Sequence, residues 1–300
     1  MPQPFFSIVI PTYNRLDQVQ QAINSVLKQS YQDFELIISD DGSHDRTGEV
    51  VKSLTDPRVK YIYQEKSGVS RARNAGANLA KGNYFIFLDS DDKLSAEYLK
   101  RFHEALLSGT FAMAFGYARY MDSSGAEIEY VKPQKSTNFI GPQLAGAFAI
   151  DRFLFANTGG YDENLHYSEN TEFFLRLKLG AFISPESVAL IEDEGVIVYL
   201  GDLRERFNTY SKVKYKSANY FLNKHKQHFA KSVNDFVNYK TVYALGAFQN
   251  GELKDAQKSM IEIIFRKPLR IKSYVFFLLF SLPWLGRLVW KTQKGSDQKQ

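Results

Sequence analysis

Apolar runs and helically spaced apolar stripes alternate through the first 110 residues. Residues 6–10, 34–39, 59–63 and 84–88 are short apolar runs and predict strands. Between them, residues 15–29 place Leu16, Val19, Ile23, Val26 and Leu27 on one side of a helix. Residues 47–54 carry a shorter helical stripe, and residues 69–80 an Ala-rich one ended by Gly82. This alternation predicts an α/β fold whose mainly parallel sheet is covered on both faces. Ligands of such sheets bind beyond the carboxyl ends of the strands.

The pattern then loosens. Residues 95–107 predict another helix, and residues 111–121 and 126–131 flank Ser123-Ser124-Gly125 as a hairpin. Residues 132–165 read as loops. Residues 168–179 predict a helix with Phe173, Phe174 and Leu177 on one side, and residues 182–191 and 196–200 predict two strands. From residue 207 onward the chain reads as helices, over 207–230, 233–249 and 252–265, with Asn250-Gly251 breaking the last two apart. Residues 273–286 are 14 uncharged, mostly apolar positions. A membrane-spanning helix needs about 20, and Pro283 interrupts this one. A buried C-terminal helix and an interfacial membrane segment both remain open. Tyr274, Phe276, Phe277, Phe280 and Trp284 with basic flanks favour the second.

Composition changes this picture in two ways. An apolar fraction of 44% with 15% aromatics over 300 residues excludes a largely disordered chain. The absence of cysteine excludes a disulfide scaffold, a Cys-ligated zinc or iron–sulfur site and a thiol nucleophile. The formal charge of +5 is uneven. Residues 266–300 contribute +7, with eight basic residues and one acid, and leave −2 for residues 1–265. The body is not basic, so no nucleic-acid partner is expected; the tail suits an anionic membrane surface. The opening Met1-Pro2-Gln3-Pro4 lacks the basic start of a secretory signal, so a cytoplasmic protein, peripheral at the inner face of the cell membrane, is expected.

Four polar constellations follow the apolar runs. Asp89-Ser90-Asp91-Asp92 gathers three carboxylates at a strand end, where hard oxygen ligands suit Mg²⁺ or Mn²⁺ completed by a diphosphate. Asp40-Asp41-Gly42-Ser43 can form a turn or accept a hydrogen bond from a nucleobase or ribose. Pro11-Thr12-Tyr13-Asn14 offers an aromatic ring for stacking. Ser70-Arg71-Ala72-Arg73-Asn74-Ala75-Gly76 opens a helix with two cations, a favourable place for an anion.

In their order along the chain, the four motifs resemble those of family 2 glycosyltransferases with the GT-A fold, a Rossmann-like mixed sheet. The resemblance extends through Gly159-Gly160-Tyr161-Asp162-Glu163 and Glu169-Asn170-Thr171-Glu172 and covers roughly residues 5–200. It implies inverting transfer from a nucleotide diphosphate sugar, usually a UDP-sugar, to a glycan or lipid-linked acceptor in cell-surface polysaccharide or lipopolysaccharide synthesis. It also implies that Pro11, Thr12 and Tyr13 frame the nucleobase, Asp41 bonds it, Arg73 helps hold the nucleotide and Asp89 lies near the ribose. Asp91, within the acidic DXD motif, would ligate the divalent cation, Mn²⁺ or Mg²⁺. The implied organisation is a GT-A domain over residues 1–205, with a nucleotide-sugar half to about residue 110 and an acceptor half over 111–205. A helical region, 206–300, follows with a membrane-associating segment at 266–292.

The chain departs from the family pattern at the base. The usual Glu-Asp pair is Glu169-Asn170, and an amide is no proton acceptor. Glu169 is the expected base; Glu172, one helical turn on and on the same face, is the alternative. A polyisoprenyl-phosphate acceptor, which needs little base, and a catalytically impaired nucleotide-sugar-binding protein are the competing readings.

Overall fold

The computed structural model describes residues 3–133, 143–200 and 211–282. The chain divides into two compact units, residues 1–163 with 169–200, and residues 164–168 with 201–300.

The first unit is built on β1 (Phe6–Thr12), β2 (Phe34–Asp40), β3 (Val59–Tyr63) and β4 (Tyr84–Phe87), all parallel, in the order β3-β2-β1-β4. Their links are the helices α1 (Leu16–Leu27), α2 (Thr47–Lys52) and α3 (Val69–Leu79). The apolar runs are continuous because both sheet faces are covered. Ile8, Ile10, Leu36, Ile38, Ile86 and Leu88 pack on the α1 side, against Val19, Ala22, Ile23 and Val26. The alternate residues Val9, Ile37, Phe85 and Phe87 pack on the other. The register pairs Thr12 with Asp40 and Asp40 with Tyr63, so three strands end level with one another.

The sheet continues through β8 (Phe148–Asp151), antiparallel to both β4 and β6 (Met113–Met121), and then through β9 (Val188–Tyr199), parallel to β6. The two-residue β5 (Lys93–Leu94) lies antiparallel on β9, and β7 (Glu127–Val131) closes the expected hairpin with β6. The helices of this half are α4 (Tyr98–Leu107), α5 (Arg152–Asn157) and α6 (Glu169–Leu179). Two expectations are corrected. The stretch read as loops contains β8 and α5, with Asp151 capping α5 by accepting from Phe153 N and Leu154 N. The two strands expected at 182–191 and 196–200 are one strand, β9, interrupted by a bulge.

At the bulge Phe115 pairs with Leu190, but Tyr117 pairs with Gly195. The extra residues of β9 carry Glu192, Asp193 and Glu194, and Arg101 binds Asp193. A Cβ at Gly195 would lie 2.0 Å from the Tyr117 carbonyl oxygen, which cannot move without breaking the strand. Gly195→Ala is expected to lower unfolding stability by about 2 kcal/mol, the size of an overpacking penalty, read as a lower urea midpoint with unchanged slope.

The second unit is helical: α7 (Ser211–Lys224), α8 (Lys226–Lys231), α9 (Val233–Gln249), α10 (Leu253–Arg266) and α11 (Ile271–Ser281). Ser232 caps α9 by accepting from Asp235 N, and Gly251, at φ 83°, turns the chain into α10. Tyr215 and Tyr243 both donate to Asp255 Oδ2, at 2.7 and 3.1 Å, tying α7, α9 and α10 together. No helix among the described residues is long and apolar enough to cross a membrane. Of the expected membrane-associating segment, residues 283–292, Trp284 among them, lie outside the described residues.

Candidate active site

The strand ends place the four motifs side by side. Asn14, at φ 49°, donates from its backbone to Ser43 Oγ and accepts from His44 N, so the loops after β1 and β2 are stitched together. Pro11 and Thr12 are buried at the end of β1, and Thr12 Oγ1 has no hydrogen-bond partner among the described residues. Tyr13 is half-buried, with Lys66 Nζ 3.7 Å from its ring centroid, a cation–π contact on one face.

The two aspartates of the second motif have different jobs. Asp40 accepts from Ser43 N at 2.8 Å and from the Tyr61 hydroxyl at 2.6 Å. Burial, helped by Asp40, pushes that hydroxyl up, so it remains a donor. Asp41 Oδ1 accepts from Ser67 N and Gln64 Nε2, and Oδ2 from Gly68 N. It therefore shapes the turn that opens α3. A carboxylate has about four acceptor sites, which leaves Asp41 Oδ2 room for one further donor.

Arg73 is the centre of the arrangement. It is 1% exposed, yet its guanidinium donates to Asp89 Oδ1 at 2.5 Å and to Glu169 Oε1 at 2.9 Å. Burial opposes its charge, but Asp89 and then Glu169 outweigh that and push the guanidinium further up. One cation thus joins the loop after β4 to the first turn of α6. The Tyr161 ring lies 5.1 Å from the guanidinium.

Neighbouring Asn74 fixes that tyrosine from both ends of its amide, accepting from Tyr161 N at 2.9 Å and donating to Tyr161 O at 2.8 Å. Burial pushes the Tyr161 hydroxyl up, and it donates to Asn170 Oδ1 at 3.0 Å. Gly160, at φ 66°, sits so close that a Cβ would lie 2.8 Å from Asn74 Oδ1. Sequence reasoning assigned no role to Asn74 or Tyr161, since they meet across 87 positions and neither periodicity nor spacing marks such a pair.

Asp91 lies 3.0 Å from Arg15 Nη1, with its side chain 23% exposed. Backbone Asp92 N donates to Asp89 O, making a tight acidic turn, and β5 then anchors the loop on β9. Among the described residues no three His, Asp or Glu side chains gather as a metal cage. A hard cation shared with a diphosphate does not require one, because Mg²⁺ sites of that kind use one or two carboxylates and substrate oxygens. The donor set Asp89 and Asp91 fits that pattern.

The two candidate bases are held differently. Glu169 uses Oε1 for Arg73, and its Oε2 carries no hydrogen bond among the described residues. Glu172 is fully buried, with Arg176 donating to both of its oxygens. The same Arg176 donates to the Thr158 and Gly160 carbonyls, so this pair supports the glycine turn before Tyr161.

The profile of the family described as Glycosyl transferase family 2 matches residues 7–161. The chain is 31% identical over 235 residues to the uncharacterized glycosyltransferase EpsJ of Bacillus subtilis, covering 72% of this chain and 65% of that protein. It is 34% identical over 132 residues to the UDP-Glc:alpha-D-GlcNAc-diphosphoundecaprenol beta-1,3-glucosyltransferase WfgD of Escherichia coli, covering 44% of this chain and 52% of that protein. The chain thus spans less than two thirds of either relative's length. The crystal structure of S. aureus TarS 1-349 in complex with UDP-GlcNAc superposes with a TM-score of 0.59 at 17% identity, over 97% of this chain and 93% of that one. This likeness shows a shared GT-A fold. With the profile covering more than half of its length, the chain belongs to glycosyl transferase family 2.

Proposed function

We propose that the protein transfers a sugar from a nucleotide diphosphate sugar, a UDP-sugar, to a hydroxyl of a glycan or lipid-linked acceptor, with inversion, in the synthesis of cell-surface polysaccharide. The observation that carries this reading is the Arg73 bridge, which joins Glu169, whose Oε2 has no hydrogen bond among the described residues, to the acidic loop at the end of β4. The names of relatives agree in kind. WfgD is a UDP-Glc transferase acting on a diphosphoundecaprenol-linked sugar, and TarS has been crystallised with UDP-GlcNAc.

The chemistry follows from these positions. An acceptor hydroxyl has a pKa far above neutral, so it needs a base as it attacks the anomeric carbon. Glu169 Oε2 takes the proton while the bond from that carbon to the diphosphate oxygen breaks on the opposite side. Arg73 keeps the base oriented through Oε1, and the Tyr161 hydroxyl, donating to Asn170 Oδ1, fixes the neighbouring amide. The leaving diphosphate gains charge. Asp91, with Asp89 beside it, would hold a divalent cation, which when bound supplies Lewis-acid stabilisation of that charge. Asp41 Oδ2 and the Tyr13 ring are the nucleobase contacts.

A screen of nucleotide sugars by thermal unfolding tests the donor assignment. A ligand at 100 times its dissociation constant stabilises the native state by about 2.7 kcal/mol, so a UDP-sugar with Mn²⁺ is expected to raise Tm by several degrees. Asp91→Asn is expected to remove the Mn²⁺-dependent part of the shift. Failure of every nucleotide diphosphate to move Tm would overturn the assignment.

A further inference from the structure

Helix α11 sorts its apolar residues by face. Ser273 and Phe280 are fully buried, Phe276 and Phe277 are half-buried, and Phe280 stacks on Phe248 at 4.7 Å. Of the aromatics that suggested an interfacial segment, Phe280 is spent on packing, Phe276 and Phe277 partly so, and Tyr274 is exposed. The opposite stripe, Ile271, Val275, Leu278 and Leu282, follows i, i+4, i+7, i+11 and is exposed. Phe265 in the last turn of α10 and Leu269 in the turn between the helices are 81% and 93% exposed. Single exposed leucines need no explanation; six large apolar side chains within residues 265–282 do.

The charges around them have one sign. Residues 265–282 contain Arg266, Lys267, Arg270 and Lys272 and no acid. None of the four forms an ion pair among the described residues. Arg266 donates to the Phe229 carbonyl and lies 3.8 Å from the Phe236 ring centroid, Lys267 donates to Asn234 Oδ1, and Arg270 donates to Thr241 Oγ1. Neutral partners hold three of these cations in place without cancelling them.

We infer that the end of α10, the following turn and the Ile271–Leu278 stripe of α11 form a docking face for an anionic lipid bilayer. A second copy of the chain would oppose the same four cations to themselves across a symmetric contact. Nucleic acid would meet the cations but leave the aliphatic stripe in water. A bilayer offers both an apolar interior and an anionic surface. Eleven residues of helix extend about 16 Å, half the hydrocarbon thickness, so α11 lies in the headgroup plane with its aliphatic stripe inward. This inference is independent of the transfer reaction and goes beyond it.

Co-sedimentation of the full chain with vesicles tests it. Binding is expected to phosphatidylcholine vesicles containing phosphatidylglycerol, with little binding to phosphatidylcholine alone. High salt is expected to weaken it, because screening shortens the reach of the cations to a few ångström. Lys272→Gln is expected to weaken binding about fivefold, and Leu278→Asn roughly tenfold or more. Both residues are exposed, and an unchanged melting curve with an unchanged UDP-sugar shift confirms that each variant is folded. Absence of vesicle binding, equal binding to neutral vesicles, or unchanged binding by Leu278→Asn would each overturn the inference. So would a dimer that Leu278→Asn dissociates in the absence of lipid, which would give the face to a second copy.

Discussion

Arg73→Met is expected to abolish transfer and to lower unfolding stability by about 3 kcal/mol, near the lower end for removing one partner of a buried charge pair. The side chain is fully buried while its two partners are not equally so: Glu169 is 14% exposed and Asp89 37%. Without the cation, two carboxylates approach one another, and the more open Asp89 recovers part of its hydration. That recovery keeps the cost at the lower end. Arg73→Lys is expected to rescue folding only in part, because one ammonium lacks the fork that reaches both acids at once. Urea unfolding followed by circular dichroism gives the stability, and a transfer assay gives the activity. A Met variant as stable as the parent would mean that the bridge does not hold α6 to the β4 loop.

Glu169→Gln separates chemistry from architecture at the same place. The amide oxygen can still accept from Arg73, so the fold and the UDP-sugar thermal shift are expected to survive. The proton acceptor is lost, and kcat is expected to fall by about 10²–10⁴. Glu172→Gln is the contrasting control. Its buried pair with Arg176 supports the Thr158–Gly160 turn, so its loss is expected in stability first. If Glu169→Gln retained full transfer to a polyisoprenyl phosphate, the acceptor would be one that needs no base. Donor binding without turnover in the parent chain would point to a protein that only binds.

The parallel half of the sheet was legible because burial on both faces leaves an unbroken apolar run for each strand. β1 to β4 and their helices appear within a residue or two of the spans the pattern predicts. The antiparallel half was not legible in the same way. β8 has four residues and runs directly into α5, its last residue Asp151 being the cap, so no window is long enough to show a period. β9 split in two because Glu192, Asp193 and Glu194 interrupt its apolar run, and only pairing with β6 reveals that they bulge out of one strand.

The site divides along similar lines. The motifs after β1, β2 and β4 announce themselves, since each is a polar cluster directly after an apolar run; the fourth opens α3. What those side chains hold is less visible. Asp41 looks like a ligand contact, yet most of its hydrogen bonds go to the turn at 64–68. Arg73 reads as a cation at a helix start, but it sits on the inward side of α3, between Asp89 and Glu169. Sequence spacing carries no information about a contact 96 residues apart.

The two-ended grip of Asn74 on Tyr161 ties α3 to the turn before α6. The family profile ends at residue 161, the residue that Asn74 holds. An amide serves this contact because it offers an acceptor and a donor together; an aspartate would set one oxygen against the Tyr161 carbonyl. The segment matched by the family profile is thus closed by its own side chain before α6 begins. Arg73 and Asn74, adjacent on α3, thus hold both the start of α6 and the turn before it, so a shift of α3 would move Glu169 and Tyr161 together.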